Sequence, residues 1–357
     1  MRNNVISYVK QCHMDFTEEP PSEVDALALS WLSYFSFPAR LEVESAKIGE
    51  LSDEELKPDK EMYAAAFNPK ASKRLFNLLR ESPRFKNAEL SLCKEETNPS
   101  EEKQFGALCI KLSPDLCFIS FRGTDASYVG WKEDFNLAYR FPIPSQKAGL
   151  EFAESVMENF PDSKFYLGGH SKGGNVAVYC AARLKSELQN RIIGAYNFDG
   201  PGLPKEFTES EAYLKVAPRI HKLVPNASLV GMLLETQSGF SVVKSGSISV
   251  LQHDPFSWAV RGNGFTPAAK RSSGSVWLER CVNGWIKEMP AGERERVVNI
   301  IFSALDELDA RDFNAFFKTL HRQIPALSRR YKSLDKDERA FFDGKVERLK
   351  ALMRGKA

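Results

Sequence analysis

The sequence has no surplus of either charge, no hydrophobic run of membrane length and no closely spaced cysteines. Its 49 Lys and Arg face 47 Asp and Glu, a net of +2 over 357 residues. A nucleic-acid surface needs a strong and clustered basic excess, so no nucleic-acid partner is expected. No apolar stretch approaches the ~18 residues of a membrane span, so no integral membrane segment is expected either. The N-terminus, MRNNVISYVKQ, lacks the ~7 consecutive apolar residues of a secretory signal, and a cytoplasmic location is expected. Six cysteines (Cys12, Cys93, Cys109, Cys117, Cys180 and Cys281) lie apart without C-x-x-C spacing. That spacing excludes the common structural zinc site, and no metal or cofactor is expected. Cys109, Cys117 and Cys180 sit in apolar runs and read as small, reduced core residues. There is no internal repeat. Hydrophobic residues at 43% and charged residues at 27% exclude disorder for the bulk of the chain.

What is present is a rhythm. Residues 22–37, SEVDALALSWLSYFSF, have helical apolar spacing behind Ser22 as an N-cap. Residues 38–85 read as short helices and loops. Residues 87–93, 105–112 and 115–121 read as strands, with Ser113-Pro114 turning between the last two. Then come a helix over 145–160, a strand at 164–169, a helix over 175–189 and a strand at 191–200. Two further strands are expected at 219–224 and 247–252. Alternating strands and helices give the α/β class, with a mostly parallel sheet flanked by helices. From residue 291 the composition turns charged and glycine-poor. The expected organisation is therefore a domain over 1–290, including an N-terminal helical segment, and a helical appendage over 291–357.

The stretch that carries chemistry is Gly168-Gly169-His170-Ser171-Lys172-Gly173-Gly174. It contains G-x-S-x-G, a pattern that arises by chance in roughly one chain in ten of this size. Its place between an expected strand and an expected helix is the context of a nucleophile elbow, where a strained turn lifts a serine above the sheet. Small flanking residues are needed there because a Cβ would collide with the adjoining strand and helix. The alternative is a glycine-rich turn with a solvent serine.

A serine hydroxyl needs a base. His253 follows SISVLQ, on the loop after the last expected strand, and is the first candidate; His221 is the second. His170 adjoins the nucleophile and is expected to point away from it into packing. A carboxylate between serine and histidine in chain order should orient the base. Asp199 lies at the C-terminal end of a strand, where open parallel sheets place their sites; it could instead serve only its own Gly-Pro-Gly turn. Asp254 adjoins His253 too closely to bend back. An oxyanion hole would come from the N–H of Lys172 and from Thr124, in FRGTD after an early strand. Arg122 is expected to support that loop through an ion pair with Asp134. Residues 125–144 hold Tyr128, Trp131, Phe135, Tyr139 and Phe141, which read either as a lid or as core.

FRGT at 121–124, GW-x-x-D at 130–134 and GHSKGG at 169–174 resemble the class 3 lipase branch of the α/β hydrolases. With FDGPG at 198–202, VP-x-x-S-x-VG at 224–231 and QHD-x-x-SW at 252–258, the chain resembles the Mbeg1-like family over roughly residues 20–262. The resemblance implies an α/β-hydrolase fold with Ser171 as nucleophile, His253 as base, and Thr124 and Lys172 at the oxyanion hole. It departs at Lys222, which stands where class 3 lipases commonly carry their acid. Either Asp199 supplies the carboxylate, or that member is weak or absent. The leading expectation is a serine hydrolase of a small-molecule or lipid ester. The alternative is an inactive hydrolase fold that binds a partner, with no partner identified for the C-terminal helices.

Overall fold

The computed structural model describes residues 3–52, 68–234, 239–306, 324–325 and 327–355. Eight strands form one sheet in chain order: β1 (Ser45–Lys47), β2 (Glu89–Asn98), β3 (Lys103–Ser113), β4 (Leu116–Phe121), β5 (Lys164–His170), β6 (Ile192–Phe198), β7 (Ile220–Pro225) and β8 (Ser241–Val243). β1 to β4 pair antiparallel and β4 to β8 pair parallel. The turn at Ser113-Pro114 joins β3 to β4, as its residues imply. The protein thus has the α/β-hydrolase fold, with helices against both faces of a mostly parallel sheet.

The main helices among the described residues are α1 (Val5–Val9), α2 (Glu23–Trp31), α3 (Pro69–Glu81), α4 (Tyr128–Asn136), α5 (Pro144–Asn159), α6 (Lys172–Arg183), α7 (Glu211–Val216), α8 (Ser273–Glu288), α9 (Ala291–Asp306) and α10 (Lys336–Met353). Ser22 caps α2 through a capping box with Asp25, as its sequence position implies. One core holds α1, α2 and α3 against the sheet around Trp31, Phe76 and Phe118. The other packs α5, α6 and α7 on the opposite face around Phe121, Phe152 and Phe165. A buried ion pair, Arg84 to Asp25 at 2.8 Å, ties the turn between α3 and β2 to α2. Cys109, Cys117 and Cys180 are buried and free, as expected of small core residues.

One strand expectation fails. Residues 249–253 form a 3₁₀ turn, and the last strand of the sheet is the three-residue β8. The apolar run at 248–251 does not enter the core: Ile248, Val250 and Leu251 are 74%, 57% and 52% exposed. Part of the expected region 38–85, residues 53–67, lies outside the described residues. The helices from 273 onward pack back on the domain. Val298, Phe302 and Leu305 of α9 form a small cluster with Tyr128 and Trp131 of α4.

Candidate active site

The elbow is built by close approach. A Cβ on Gly169 or Gly173 would run into the backbone of Gly173 or Phe121 respectively, and one on Gly174 would lie 2.6 Å from the Asn197 side-chain oxygen. With the glycines in place, β5 can turn at once into α6. Ser171 sits at the turn with φ 57° and ψ −132°, a conformation that an L-residue holds only when its surroundings enforce it. Its N–H is anchored to the Phe198 carbonyl at 2.9 Å. Ser171 lines a cavity of 410 Å³ that His253 also lines.

His253 and Asp199, 54 residues apart, meet. His253 Nδ1 lies 2.7 Å from Asp199 Oδ2. A carboxylate only accepts, so Nδ1 carries the proton and Nε2 keeps its lone pair. Asp199 is 1% exposed, and its other oxygen accepts from the Ser228 hydroxyl at 2.5 Å. Asp199 also has a positive φ of 55° and leaves β6 with its N–H bound to Leu223. Its contacts therefore extend beyond its own Gly-Pro-Gly turn. Among the described residues no hydrogen bond joins Ser171 Oγ to His253; the two share the cavity. Such bonds are often long before substrate binds. Asp254 faces elsewhere: it bonds Asn68 at 2.9 Å and caps the following turn through Phe256. His221 stacks on Tyr196 at 4.9 Å.

His170 points away from Ser171, as expected, and it holds the base. Its Nε2 lies 2.8 Å from the His253 carbonyl, so Nε2 donates and Nδ1 accepts from the Tyr34 hydroxyl at 3.1 Å. The two imidazoles pack at 4.5 Å. Burial, with the His253 charge second, holds His170 well below the usual histidine range, so it stays neutral in this role.

Arg122 does not pair with Asp134. Its guanidinium binds Glu95 at 2.8 Å and the carbonyls of Ser33 and Phe35 at 2.5 and 3.5 Å. Three acceptors converging from β2 and the turn after α2 satisfy a planar five-donor group better than one carboxylate on α4. Asp134 instead accepts from the Thr124 hydroxyl. Its other oxygen is buried without a partner, and burial pushes its carboxyl up to about 6 against the pull of Lys172. Each residue bonds partners other than the pair expected.

The acid that Lys172 binds is Glu133, one position earlier. Lys172 Nζ lies 2.6 Å from Glu133 Oε2 and donates to both oxygens of Gln104 at 2.8 and 2.9 Å. Glu133 also accepts from the N–H groups of Gln104 and Ser145. Lysine and glutamate are 1% and 0% exposed. α4 is thereby fixed to the elbow and β3. The first N–H groups of α6, Lys172 among them, have no intrahelical acceptor, which is the supply an oxyanion hole draws on. Trp131 and Phe135 line the cavity, Tyr128 and Phe135 pack on Phe302, and Phe141 packs on Tyr179 and Phe207.

Among the described residues no group of three or more His, Cys, Asp or Glu is placed to hold a metal ion, and no helix is long and apolar enough to cross a membrane. No curated protein matches the chain. Similar solved structures include the lipase of Rhizomucor miehei with its propeptide, at 15% identity over 50% of this chain and 70% of that one, TM-score 0.38. MDLA of Penicillium cyclopium is similar at 12% identity over 68% and 83%, TM-score 0.40. A lipase of Rhizopus microsporus var. chinensis is similar at 14% identity over 57% and 73%, TM-score 0.34. The Mbeg1-like family model matches residues 79–303, well over half of the sequence, and the chain belongs to the Mbeg1-like family.

Proposed function

We propose that the protein is a serine hydrolase acting on carboxylic, thio- or lipid esters. The observation that carries this is the 2.7 Å contact between His253 and buried Asp199, on the cavity that the strained Ser171 also lines. That contact supports Asp199 as the carboxylate, where Lys222 departs from the class 3 lipase pattern. In this reading Ser171 Oγ attacks the carbonyl carbon and passes its proton to His253 Nε2. The oxyanion forms beside the N–H groups of Thr124 and Lys172. The tetrahedral adduct collapses, the alcohol or thiol leaves with the proton from His253, and the acyl group stays on Ser171. Water then gives a proton to His253 and attacks the acyl-enzyme; as that adduct collapses, His253 returns the proton to Ser171 Oγ and the carboxylic acid leaves. Asp199 holds the imidazole tautomer and steadies the imidazolium.

The test is turnover of short activated esters by the purified chain. Ser171→Ala should lower kcat by about 10⁶-fold. Turnover that survives the substitution would sink the proposal, as would its complete absence in the parent across short and medium-chain esters.

A further inference from the structure

Most of the cavity wall takes no part in the chemistry proposed above. Its polar residues Ser171, His253, Thr124, Asp125 and Asp134 come from the elbow, the 249–253 turn, the loop after β4 and the last turn of α4, with Tyr34 and His170 beside them. A second group, Val282, Ile286, Met289, Val297 and Ile301, comes from α8, α9 and the turn between them, and is apolar throughout. Among the described residues Arg294 is the one Lys or Arg lining the cavity, and it is engaged with the wall itself. Its Nε donates to the Ile286 carbonyl at 2.8 Å and Nη1 to the Ala138 carbonyl at 3.1 Å. That brace joins α9 to α8 and to the chain after α4.

Resting on the hydrolase reading, we infer that α8 and α9 form a pocket for a single medium-length alkyl chain of the ester, and that their side chains set the chain-length preference. The physical case rests on what such a wall can bind. A hydrocarbon-lined cavity holds water poorly and takes apolar ligands. At 410 Å³ it lies near the lower end of the ~300–1,000 Å³ of small-molecule sites, which suits one chain of about eight to ten carbons. Leu233, Ile286 and Ile301 line the same cavity as Ser171 and are available to a chain attached to a carbonyl held there. Each methylene buried there should raise kcat/KM by about fourfold until the wall is reached.

The experiment has two readouts. With the full chain, kcat/KM is measured for p-nitrophenyl esters from acetyl to dodecanoyl, and for octyl acetate against ethyl octanoate. The expected profile climbs about fourfold per methylene to octanoyl or decanoyl and then flattens. The octyl acetate and ethyl octanoate arms show whether the acyl or the alcohol end carries the chain. Val282→Trp should lower the octanoyl-to-butanoyl ratio by about tenfold, with a cooperative thermal melt confirming the fold. If that variant fails to fold, Ile301→Phe is read in the same way. The second readout needs no turnover: decanoate should bind the Ser171→Ala protein one to one by calorimetry, and less tightly once the pocket is filled. A flat or falling acyl profile in an active enzyme that also turns over octyl acetate no faster than ethyl octanoate overturns the pocket and leaves the hydrolase standing. An unchanged chain-length ratio in a folded filled variant overturns it as well. Decanoate binding without hydrolysis of any ester keeps the pocket and removes the hydrolase.

Discussion

The two walls of the cavity are held together by different physics. The wall from the sheet edge is a buried polar mesh: Lys172 with Glu133 and Gln104, Asp199 with Ser228 and His253, and His170 between Tyr34 and the His253 backbone. Directional bonds of this kind fix side chains to a fraction of an ångström, which positioned chemistry requires. The wall from α8 and α9 is apolar, with α9 packed around Phe302 and exposed ion pairs such as Arg348–Glu288 behind it. Packing tolerates exchange of one hydrocarbon for another of similar volume. The reaction is thus assigned to the first wall and the choice of substrate to the second, and substitutions in each should fail in different ways.

The largest effect is expected at Asp199. Asp199→Asn keeps the size of the side chain but loses the anion that fixes the His253 tautomer. By analogy with the same substitution of the buried aspartate in serine proteases, kcat should fall by about 10⁴-fold while the melting temperature changes little. A loss below tenfold would mean that the carboxylate only closes the turn after β6. Next comes Lys172→Met, which leaves Glu133 buried and unpaired; removing one partner of such a pair costs about 3–5 kcal/mol. Denaturant unfolding should show that loss, and Glu133→Gln added to it should restore part. An apolar-wall variant such as Ile301→Val should cost only about 0.5–1.5 kcal/mol. Equal losses from the two walls would erase the contrast between them.

The effect that depends on pH belongs to Asp134, and its size lies between those of Lys172→Met and Ile301→Val. Its carboxyl is raised from 3.8 to about 6 by burial, so the folded chain holds this proton more tightly than the unfolded chain does. The ionised form therefore penalises folding; the penalty is absent below the unfolded value and complete above about pH 6. Asp134→Asn can still accept from Thr124. It should gain on the order of 2 kcal/mol at pH 8 and nothing near pH 4, as denaturant unfolding at the two pH values would show. A gain that does not vary with pH would mean that the group is ordinary.

The sequence made the first wall legible and left most of the second dark. Strand, elbow and helix are local patterns, and the GHSKGG glycines mark the close approaches found between β5, α6 and β4. Asp199 was reachable by strand-end topology, and its contact with His253 is formed. Partner choice was not legible. Arg122 had an acid at 134 in view, but three acceptors from distant segments hold it. Glu133 and Asp134 are neighbours on one helix, about 100° apart around its axis, so one faces the elbow and the other the cavity. Nothing in their spacing says which acid meets Lys172. The run at 247–252 has strand-like composition, yet the strand is Ser241–Val243, too short to show a period. The packing of α9 onto α4 is a long-range event with no motif to announce it.

The central claim is that Ser171 is an activated nucleophile, and a fluorophosphonate probe tests it most directly. Peptide mapping after labelling of the full chain should place one covalent adduct on Ser171, with none in Ser171→Ala and much slower labelling in Asp199→Asn. An unlabelled parent, an adduct on another serine, or equal labelling of Ser171→Ala would contradict it.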